Sequence, residues 1–485
     1  MEGGEFNQKD SMGNTPLGWA SESGHEEVVE ILLGRDDIDP NKPREDGQTP
    51  LMLAACNGHE GVVKMLLARD DVNPNISDEY GETPLSIAAD NGHEGVVKIL
   101  LGRSGINPDK SDSVGVTPLL GATLDGHEGV VKILLGREDI NPNKSDVDGL
   151  TPLSIAAHDG NEGVVKILLR RNSIDPNQSD NNGQTPLLGA TLNRHERVVK
   201  ILLGREDINP NKSNVDSQTP LSVAAHNGNE GVVKILLGQK GIDPNQSDNN
   251  GQTPLLRATL NGHEGVVKIL LGRDDIDPNK CADDGDSPLF LAADHERLGI
   301  VRMLLGREDL NPNKPGGDGK TPLLWRAWNG DERVVKILLG RDDVDPNKPD
   351  GNGETPLCCA AENGHEGVVR ILLARDDVSL DKPDNEGQTP LLLAAGYGNE
   401  ELVKMLLERD DANLDISDMD GQTPLYRAAL HGHEDVVRIL LRWDEVNPKN
   451  PNKCRQTALS LAVRNEDTHV IALLQPATAA THSPD

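Results

Sequence analysis

Two short stretches of the chain contain residue types that could bind a phosphate or a metal ion. The stretch "GGDGKTP" at Gly316–Pro322 ends in Gly-Lys-Thr, as phosphate-binding loops do. The first glycine of such a loop would fall at Lys314, and Thr321 is better explained as a helix cap, so we do not expect nucleotide binding. The stretch "DMDGQT" from Asp418 resembles the start of a calcium loop, but its twelfth residue is Ala429 instead of glutamate. A solvated turn is the expected structure there.

Histidine and cysteine are not spaced as they are in metal or catalytic sites. Gly/Arg-His-Glu occurs eight times, yet His-Glu-x-x-His never does, so the recurring histidine, such as His59, is expected to hold an inter-helix turn. No Ser/His/Asp or Cys/His grouping stands out. The five cysteines include no Cys-x-x-Cys, which is typical of reduced thiols in an intracellular protein. We therefore predict no enzyme, no cofactor and no metal site.

The composition argues against two classes of partner. The 485 residues have a formal net charge of -32, which repels phosphate backbones and anionic lipid headgroups, and only 2% are aromatic. No stretch approaches the ~18 apolar residues of a membrane span, and the N-terminus has neither a basic nor an apolar region of a signal peptide. We expect no nucleic acid and no membrane as partners. The expected location is cytoplasmic, with the nucleus as the alternative.

These residues all lie within one tandem repeat. Thr/Ser-Pro-Leu, or Thr-Ala-Leu in the last copy, recurs every 34 residues without insertion, starting at Thr15, Thr49, Thr83, Thr117, Thr151, Thr185, Thr219, Thr253, Ser287, Thr321, Thr355, Thr389, Thr423 and Thr457. A fixed period of this length indicates a repeat architecture. The sequence therefore predicts 14 structural units.

Each unit is predicted to form two short helices. Thr49 is a suitable N-cap, and Pro50 fits the first helical position, where no amide hydrogen is needed. Gly58 interrupts the apolar "LMLAAC" segment, and "HEGVVKMLLAR" from His59 has apolar residues at helical period. The following stretch, after Asp70, is rich in Pro, Asn, Asp and Gly and is predicted to be a hairpin loop. Such small units must stack on one another to bury their apolar faces.

The Gly, Thr-Pro-Leu, Ala-Ala, Gly-His, Val-Val and Leu-Leu pattern resembles the ankyrin repeat over about residues 10–475. The resemblance implies an all-α solenoid of about 14 helix-turn-helix units joined by hairpin loops. The 34-residue period and the stretch Leu338–Lys348 are similar to arrays in large fungal ankyrin proteins, some of which have an NTPase domain upstream. One departure is that Met52 or Ser86 stands where the family usually has histidine after Thr-Pro-Leu, so that hydrogen-bonding feature is expected to be absent.

The predicted organisation has three segments. Residues 1–14 form an N-terminal flank, residues 15–475 form the array, and residues 476–485 form a disordered tail. An irregularity is expected at residues 287–305, where Glu296 and Arg297 replace Gly-His. Because glycine commonly permits the backbone of such a turn, we predict a reshaped and preferentially opening inter-helix turn at Asp294–Gly299.

The resemblance implies that a partner binds on the concave face, at residues after the Ala-Ala pair and in the hairpins. Matching positions give the candidate residues Tyr80, Leu124, His158, Leu192, His226, Leu260, Trp328, Tyr397, Leu430 and His431. For the alternating Leu/His run from Leu124 to Leu260, core packing and partner contact both remain open. Trp325 is expected in the core and Trp328 as an exposed anchor, since Trp and Tyr dominate binding hot spots. The acidic hairpin tips either aid solubility or attract a basic partner.

We therefore predict a non-catalytic scaffold, monomeric, that binds partner proteins, a basic one among them, along an acidic concave face. The alternative is the recognition array of a larger NTPase receptor-type protein, present as a fragment or as a stand-alone gene.

Overall fold

The structure, a computed structural model, describes residues 5–11, 13–409 and 411–479. This part of the chain contains 28 α-helices, a 3₁₀-helix at Glu5–Asn7 and no β-strand, so the predicted all-α fold of paired helices is confirmed. The helices belong to two compact bodies, residues 1–249 (the N-terminal body) and residues 250–485 (the C-terminal body).

The odd-numbered helices are the first helices of the repeats. In the N-terminal body they are α1 Pro16–Glu22, α3 Pro50–Cys56, α5 Pro84–Asp90, α7 Pro118–Leu124, α9 Pro152–His158, α11 Pro186–Leu192 and α13 Pro220–His226. In the C-terminal body they are α15 Pro254–Leu260, α17 Pro288–Asp294, α19 Pro322–Asn329, α21 Pro356–Glu362, α23 Pro390–Gly396, α25 Pro424–Leu430 and α27 Ala458–Arg464.

The even-numbered helices are the second helices. In the N-terminal body they are α2 Glu26–Leu33, α4 Glu60–Leu67, α6 Glu94–Leu101, α8 Glu128–Leu134, α10 Glu162–Leu168, α12 Glu196–Leu202 and α14 Glu230–Leu237. In the C-terminal body they are α16 Glu264–Leu271, α18 Leu298–Leu305, α20 Glu332–Leu338, α22 Glu366–Leu373, α24 Glu400–Leu407, α26 Glu434–Leu440 and α28 Thr468–Ala479.

Each first helix begins with a threonine or serine cap. In α5 the Thr83 hydroxyl accepts a hydrogen bond from the Ser86 amide at 3.1 Å, which satisfies one of the amides that a helix start leaves unpaired. In return the Thr83 amide donates to the Ser86 hydroxyl at 2.7 Å. Where serine stands in place of the family's histidine, its hydroxyl supplies a hydrogen bond of its own and closes a capping box.

Glycine in the inter-helix turn meets two requirements at once. Gly92 has a φ of 74°, a left-handed conformation that other residues rarely adopt. An added Cβ would also lie 2.7 Å from the imidazole ring of His127 in the next repeat. The His127 Nε2 atom lies 2.8 Å from the carbonyl oxygen of Asp90. The recurring histidine therefore lies against an inter-helix turn, as expected, and the turn is that of the preceding repeat.

The predicted reshaping of the turn at Asp294–Gly299 is wrong. Helices α17 and α18 keep the bounds seen in the other repeats, and the amides of Glu296 and Arg297 donate to Ala293 and Ala292 at 3.0 and 2.9 Å. Glu296 takes the place of glycine with a φ of 53°. This turn therefore has an ordinary backbone with a strained residue in it, and its preferential opening remains a prediction.

The reason that Glu296 fits is found in the next repeat. The position that holds histidine elsewhere is occupied there by Asp331, so no imidazole ring lies against the turn. Arg194, with a φ of 61°, is likewise followed by Asn229 instead of histidine. A side chain in the left-handed turn is thus accommodated where the neighbouring ring is missing.

We expect Glu296→Gly to stabilise its repeat by about 0.5–1 kcal/mol, because glycine relieves the left-handed strain and nothing in the fold needs the glutamate at that position. Hydrogen exchange of α17 and α18 would measure this change. The matched control is Gly92→Ala, which should destabilise α5 and α6 by at least about 1 kcal/mol through strain and the His127 contact. Unchanged or faster exchange in Glu296→Gly would contradict the strain assignment.

The loops after the second helices also connect neighbouring repeats through hydrogen bonds. The Arg69 guanidinium forms an ion pair with Asp71 at 2.6 Å and donates to the Leu33 carbonyl of the preceding repeat at 2.9 Å. The Asn75 side chain donates to the Gly105 carbonyl at 2.8 Å and accepts from the Asn107 amide at 2.9 Å. The "RDDxxPN" text of each repeat therefore supplies hydrogen bonds between repeats, beyond the predicted hairpin.

The N-terminal flank makes contacts with the array, and the last helix extends into the predicted tail. In the N-terminal flank, Asn7 donates to the Asp37 carbonyl at 2.6 Å and accepts from the Asp39 amide at 3.0 Å, which are the asparagine contacts of a loop one repeat earlier. The final helix α28 continues past residue 475 to Ala479. Residues 480–485, the rest of the predicted disordered tail, lie outside the described residues.

Candidate functional site

The exposed ends of the first helices and the hairpin tips that precede the Thr/Ser caps together form a surface that we call the first-helix face. In the N-terminal body, all five predicted site residues on this face are exposed, namely Tyr80, Leu124, His158, Leu192 and His226. In the C-terminal body three are exposed, namely Trp328, Tyr397 and His431, and Leu260 and Leu430 are half-buried. Whether any of them contacts a partner remains a prediction.

Threonine, not leucine, enters the core in the "ATL" helices. Thr123 is fully buried, and its hydroxyl donates to the Leu119 carbonyl one turn earlier at 2.8 Å. The side chains of Leu124 and Leu192 are 48% and 37% exposed. Core packing, one of the two alternatives for these leucines, is therefore excluded, because the preceding threonine satisfies its hydroxyl internally and turns the leucine outward.

A groove of about 500 Å³ opens on the first-helix face of the N-terminal body. Leu124 and His158 line it from the first helices, Asp180 and Asn181 line it from a hairpin, and Gly189 is also part of its lining. The structure thus brings together two of the predicted site residues. An apolar side chain inserted here would contact Leu124 while charged groups met the hairpin wall.

Whether this groove is open depends on the last residue of the first helix that precedes the glycine-containing helix. Gly189 replaces the larger Ile87 or Ile155 of other first helices, and a Cβ there would meet only His158, at 3.6 Å. Gly121 has the same place in its repeat, but there the carboxylate of Asp90 fills the space that a Cβ would need. The same "LLGATL" text therefore gives an open groove in one repeat and a filled one in another.

Carboxylates dominate the charge of this groove. Asp148, Asp159 and Asp180 line it, and its histidine, His158, has Nδ1 at 2.8 Å from Asp159 Oδ1. Acidic walls around a small apolar surface favour a cationic group on whatever binds.

Asp90 is half-buried, and the Oδ1 atom of its carboxylate is buried without a hydrogen-bond partner. Burial raises its pKa from 3.8 to about 7, and the nearby carboxylates of Glu82, Asp125 and Asp112 contribute to the rise. Removing a charged group from water disfavours its ionised form, and adjacent like charges add to that effect. This part of the first-helix face therefore takes up a proton close to neutral pH.

Two stacked tryptophans form an aromatic platform on the C-terminal body. The rings of Trp325 and Trp328 are 5.5 Å apart with an interplanar angle of 18°, and Lys320 Nζ lies 5.5 and 5.7 Å from the two centroids. Trp328 is 40% exposed. The expectation that Trp328 is exposed is therefore met, and the platform offers a rigid apolar surface.

Trp325 is half-buried, so its predicted place in the core is corrected. Its indole nitrogen donates to Asp294 Oδ1 at 2.6 Å, and its ring lies 6.2 Å from that of buried Phe290. Beneath it, the buried Arg326 guanidinium donates to the Asp294 carbonyl at 3.3 Å. The indole N–H of a tryptophan that leaves water needs a hydrogen-bond partner. Because that partner is here a carboxylate on the preceding first helix, the ring stays half-buried instead of entering the core.

A second groove, of about 570 Å³, contains the predicted residues Tyr397 and His431. The Tyr397 hydroxyl donates to Glu362 Oε1 at 3.2 Å. Burial lowers the pKa of His431, and the positive fields of His433 and Arg427 lower it further. This groove is thus less acidic than the one at Leu124.

The sequence reasoning missed several residues that shape these surfaces. They are Gly189 and Asn181 of the first groove, and Lys320 and the stacked ring of Trp325 in the platform. Gly189 could have been found, because a glycine stands where neighbouring repeats have a large apolar residue. Within the described residues, no helix has the length and apolarity needed to cross a bilayer, and no three His, Cys, Asp or Glu side chains are clustered as metal ligands.

Protein-family models match nearly the whole chain. The model described as "Ankyrin repeats (3 copies)" matches residues 37–112, 70–146, 119–214, 206–282, 274–350, 325–418 and 410–483, and the model described as "Ankyrin repeat" matches residues 12–44. These matches include both grooves and the aromatic platform. Among curated proteins, none is similar enough in sequence to count as a relative.

Proposed function

The chain belongs to the ankyrin-repeat family, whose arrays mediate protein–protein interaction, and from this premise we propose that it is a non-catalytic scaffold that binds protein segments along its first-helix face. In this proposal the protein is a cytoplasmic monomer, and its five unpaired cysteines support a reducing compartment.

The observation that carries the proposal is the Trp325–Trp328 platform. Large aromatic side chains that are held rigid and left accessible are enriched among the residues that dominate binding energy. Here the hydrogen bond to Asp294 fixes the first ring, and the first ring orients the second. An isolated, mobile tryptophan would lose more entropy on binding.

The charge of the Leu124 groove supports a basic partner. Asp148, Asp159 and Asp180 would attract a lysine or arginine side chain, and Leu124 would contact the apolar stem of that side chain. Such attraction is screened by salt, with a range of about 8 Å at physiological ionic strength. The affinity for a basic segment should therefore fall as salt is raised.

The test uses the full chain as bait, followed by binding measurements on the segment that it captures. We expect Trp328→Ala to weaken binding by about 1–3 kcal/mol because it removes the exposed ring of the platform. Affinity would be measured by fluorescence anisotropy at two salt concentrations, with circular dichroism to verify folding.

The control is Lys98→Ala. Lys98 is exposed on a second helix, where its partner is Glu94 at 3.5 Å, so its loss should leave the affinity unchanged. Equal losses in Lys98→Ala and Trp328→Ala, or an affinity that does not depend on salt, would overturn the proposed face and its acidic character.

A further inference from the structure

The second helices carry a regular contact between a glutamate and a glycine. The glutamate at the start of one second helix lies against the glycine at the second position of the next, as Glu128 does against Gly163 and Glu264 against Gly299. An added Cβ at either glycine would collide with the carboxylate. The repeat therefore keeps a negative charge at this place on the outer surface of the second helices.

One pair in the C-terminal body departs from this contact in both residues. Helix α18 begins with Leu298 instead of glutamate, and the matching residue of α20 is Arg333 instead of glycine. The exchange removes one negative charge and adds one positive charge. It also leaves Arg302, one turn after Leu298, without the glutamate that pairs with the equivalent lysine in other repeats, such as Lys98 with Glu94.

A second arginine at the same position shows that the departure is specific. Arg197 also replaces the glycine, but the preceding repeat keeps its glutamate, and the Arg197 guanidinium lies 3.4 Å from Glu162 Oε1. Arg333 faces Leu298 instead, so it has no such carboxylate. An arginine at this position therefore pairs with the glutamate of the preceding repeat when that glutamate is present. Leu298, which replaces the glutamate, leaves Arg333 without this partner.

These residues line a groove of about 980 Å³ between α18 and α20. Its apolar part consists of Leu298, Leu305 and Ile337, each half-buried. In other pairs of neighbouring second helices, a glutamate occupies the position of Leu298. The groove thus combines an apolar floor with a surface on which leucine replaces the usual glutamate.

Basic side chains surround this floor. Arg302, Arg333 and Lys336 line the groove, and within the part of the chain that the structure describes none of them forms a salt bridge. Arg341 also lines it but is already paired with an aspartate of its own loop, and the lining includes one carboxylate, that of Asp342. In a chain with a net charge of -32, three unpaired cations around an apolar floor are a local reversal of sign.

We propose that this groove, the α18/α20 groove, is a docking site for a short acidic segment of a partner protein that also carries apolar side chains. The carboxylates of the segment would pair with Arg302, Arg333 and Lys336, and its apolar side chains would cover Leu298 and Ile337. Opposite charges across an interface select the partner and its register. This site is separate from the first-helix face and has the opposite charge preference.

The surroundings of the groove favour a short segment over an extended polyanion. Acidic pairs end the second helices on both sides, at Asp274–Asp275, Glu308–Asp309 and Asp342–Asp343. A nucleic acid or an anionic membrane that extended past the groove would meet these carboxylates, whereas a peptide of a few turns would meet only that of Asp342, which lines the groove.

The test is fluorescence anisotropy of the full chain with a fluorescein-labelled synthetic amphipathic peptide of 14 residues, with Asp and Glu on one side and Leu on the other. We expect saturable binding that weakens with salt. The double variant Arg302→Glu/Arg333→Glu should lower the affinity by roughly tenfold or more, because both exposed cations become repulsive. These side chains lie outside the core, and circular dichroism would verify that the fold is retained.

Leu298→Glu is the sharper variant, since it restores the glutamate of the other repeats and gives Arg333 a partner like that of Arg197. It should lower the affinity roughly as much as the double variant. Two matched controls, Lys98→Glu on an ordinary repeat and Arg197→Glu at the neutralised position, should leave it unchanged.

Three results of the peptide measurements would overturn the proposal. They are no binding of the peptide beyond that of a peptide with Asp and Glu replaced by Asn and Gln, equal losses in the controls and the variants, and equal affinity of wild type and variants. Tighter binding of phosphatidylserine vesicles or of single-stranded RNA than of the peptide, lost in the same variants, would also overturn it.

Discussion

Leu236→Ala should reduce the free energy of opening of its own repeat by about 2–5 kcal/mol and leave the far end of the N-terminal body almost unchanged. Leu236 is 0% exposed in α14, which packs against α13 and α12. Truncation removes buried apolar contacts and leaves a cavity that the surrounding helices fill only in part. Because each repeat contacts its neighbours alone, the loss should remain local.

Hydrogen exchange resolved by helix would measure the effect. Amides of α13 and α14 should lose protection, while those of α1 to α4 should keep it. Ile31→Ala, on the matching helix α2, is the control: its side chain is 72% exposed, so the change should stay within about 0.5 kcal/mol. Equal loss of protection in α2 and α14 of the Leu236→Ala protein would show that the body opens as one unit.

Asp90→Asn should stabilise the repeats around α5 and α7 by about 1–3 kcal/mol near pH 8 and by much less near pH 5. Burial, with the fields of Glu82, Asp125 and Asp112, raises the pKa of Asp90 from 3.8 to about 7 in the folded protein. Above that pKa, the wild type must keep an ionised carboxylate buried beside Gly121, whereas asparagine is neutral at every pH.

The direction of the pH effect follows from the raised pKa. Between its ordinary pKa and about 7, the folded protein binds a proton at Asp90 that the unfolded chain has lost. Stability from this residue is therefore present at low pH and is lost as the pH rises through about 7. The Asp90→Asn protein should lack this dependence.

Native-state hydrogen exchange of α5 and α7, corrected for intrinsic exchange rates, would test this at about pH 5 and pH 8, on either side of the raised pKa. Asp125→Asn is the matched control, because Asp125 belongs to the same cluster but is exposed. A stabilisation of equal size at both pH values, or the same response in Asp125→Asn, would indicate general charge relief instead of protonation of Asp90.

Leu236 and Asp90 differ in how well the sequence alone indicates the burial of their side-chain atoms. Leu236 lies in the apolar "VVKILL" pattern, and helical period alone indicates that it is buried. Asp90 is in the same place as Glu22, Cys56 or His158 of other repeats, and no local pattern marks the burial of its carboxylate oxygen. Its environment arises because the next helix has Gly121 at the point of contact, a pairing that only packed helices reveal.

The sequence by itself determined where each helix begins and which residues form the core. The spacing of Thr49 and Thr83 sets the repeat, and caps, proline and helical period are local properties of the chain. It also indicated the surface on which Trp328 and Tyr397 are exposed, through the resemblance to a family of known architecture.

Contacts between repeats were decided by the tertiary structure alone. It held Trp325 at Asp294, allowed Glu296 a left-handed turn opposite Asp331, and left Arg333 unpaired. Each outcome depends on a residue in a neighbouring repeat, 31 to 37 positions away in the hydrogen-bonded examples. Local propensity and periodicity describe one repeat at a time, so they cannot show which side chains meet when repeats stack.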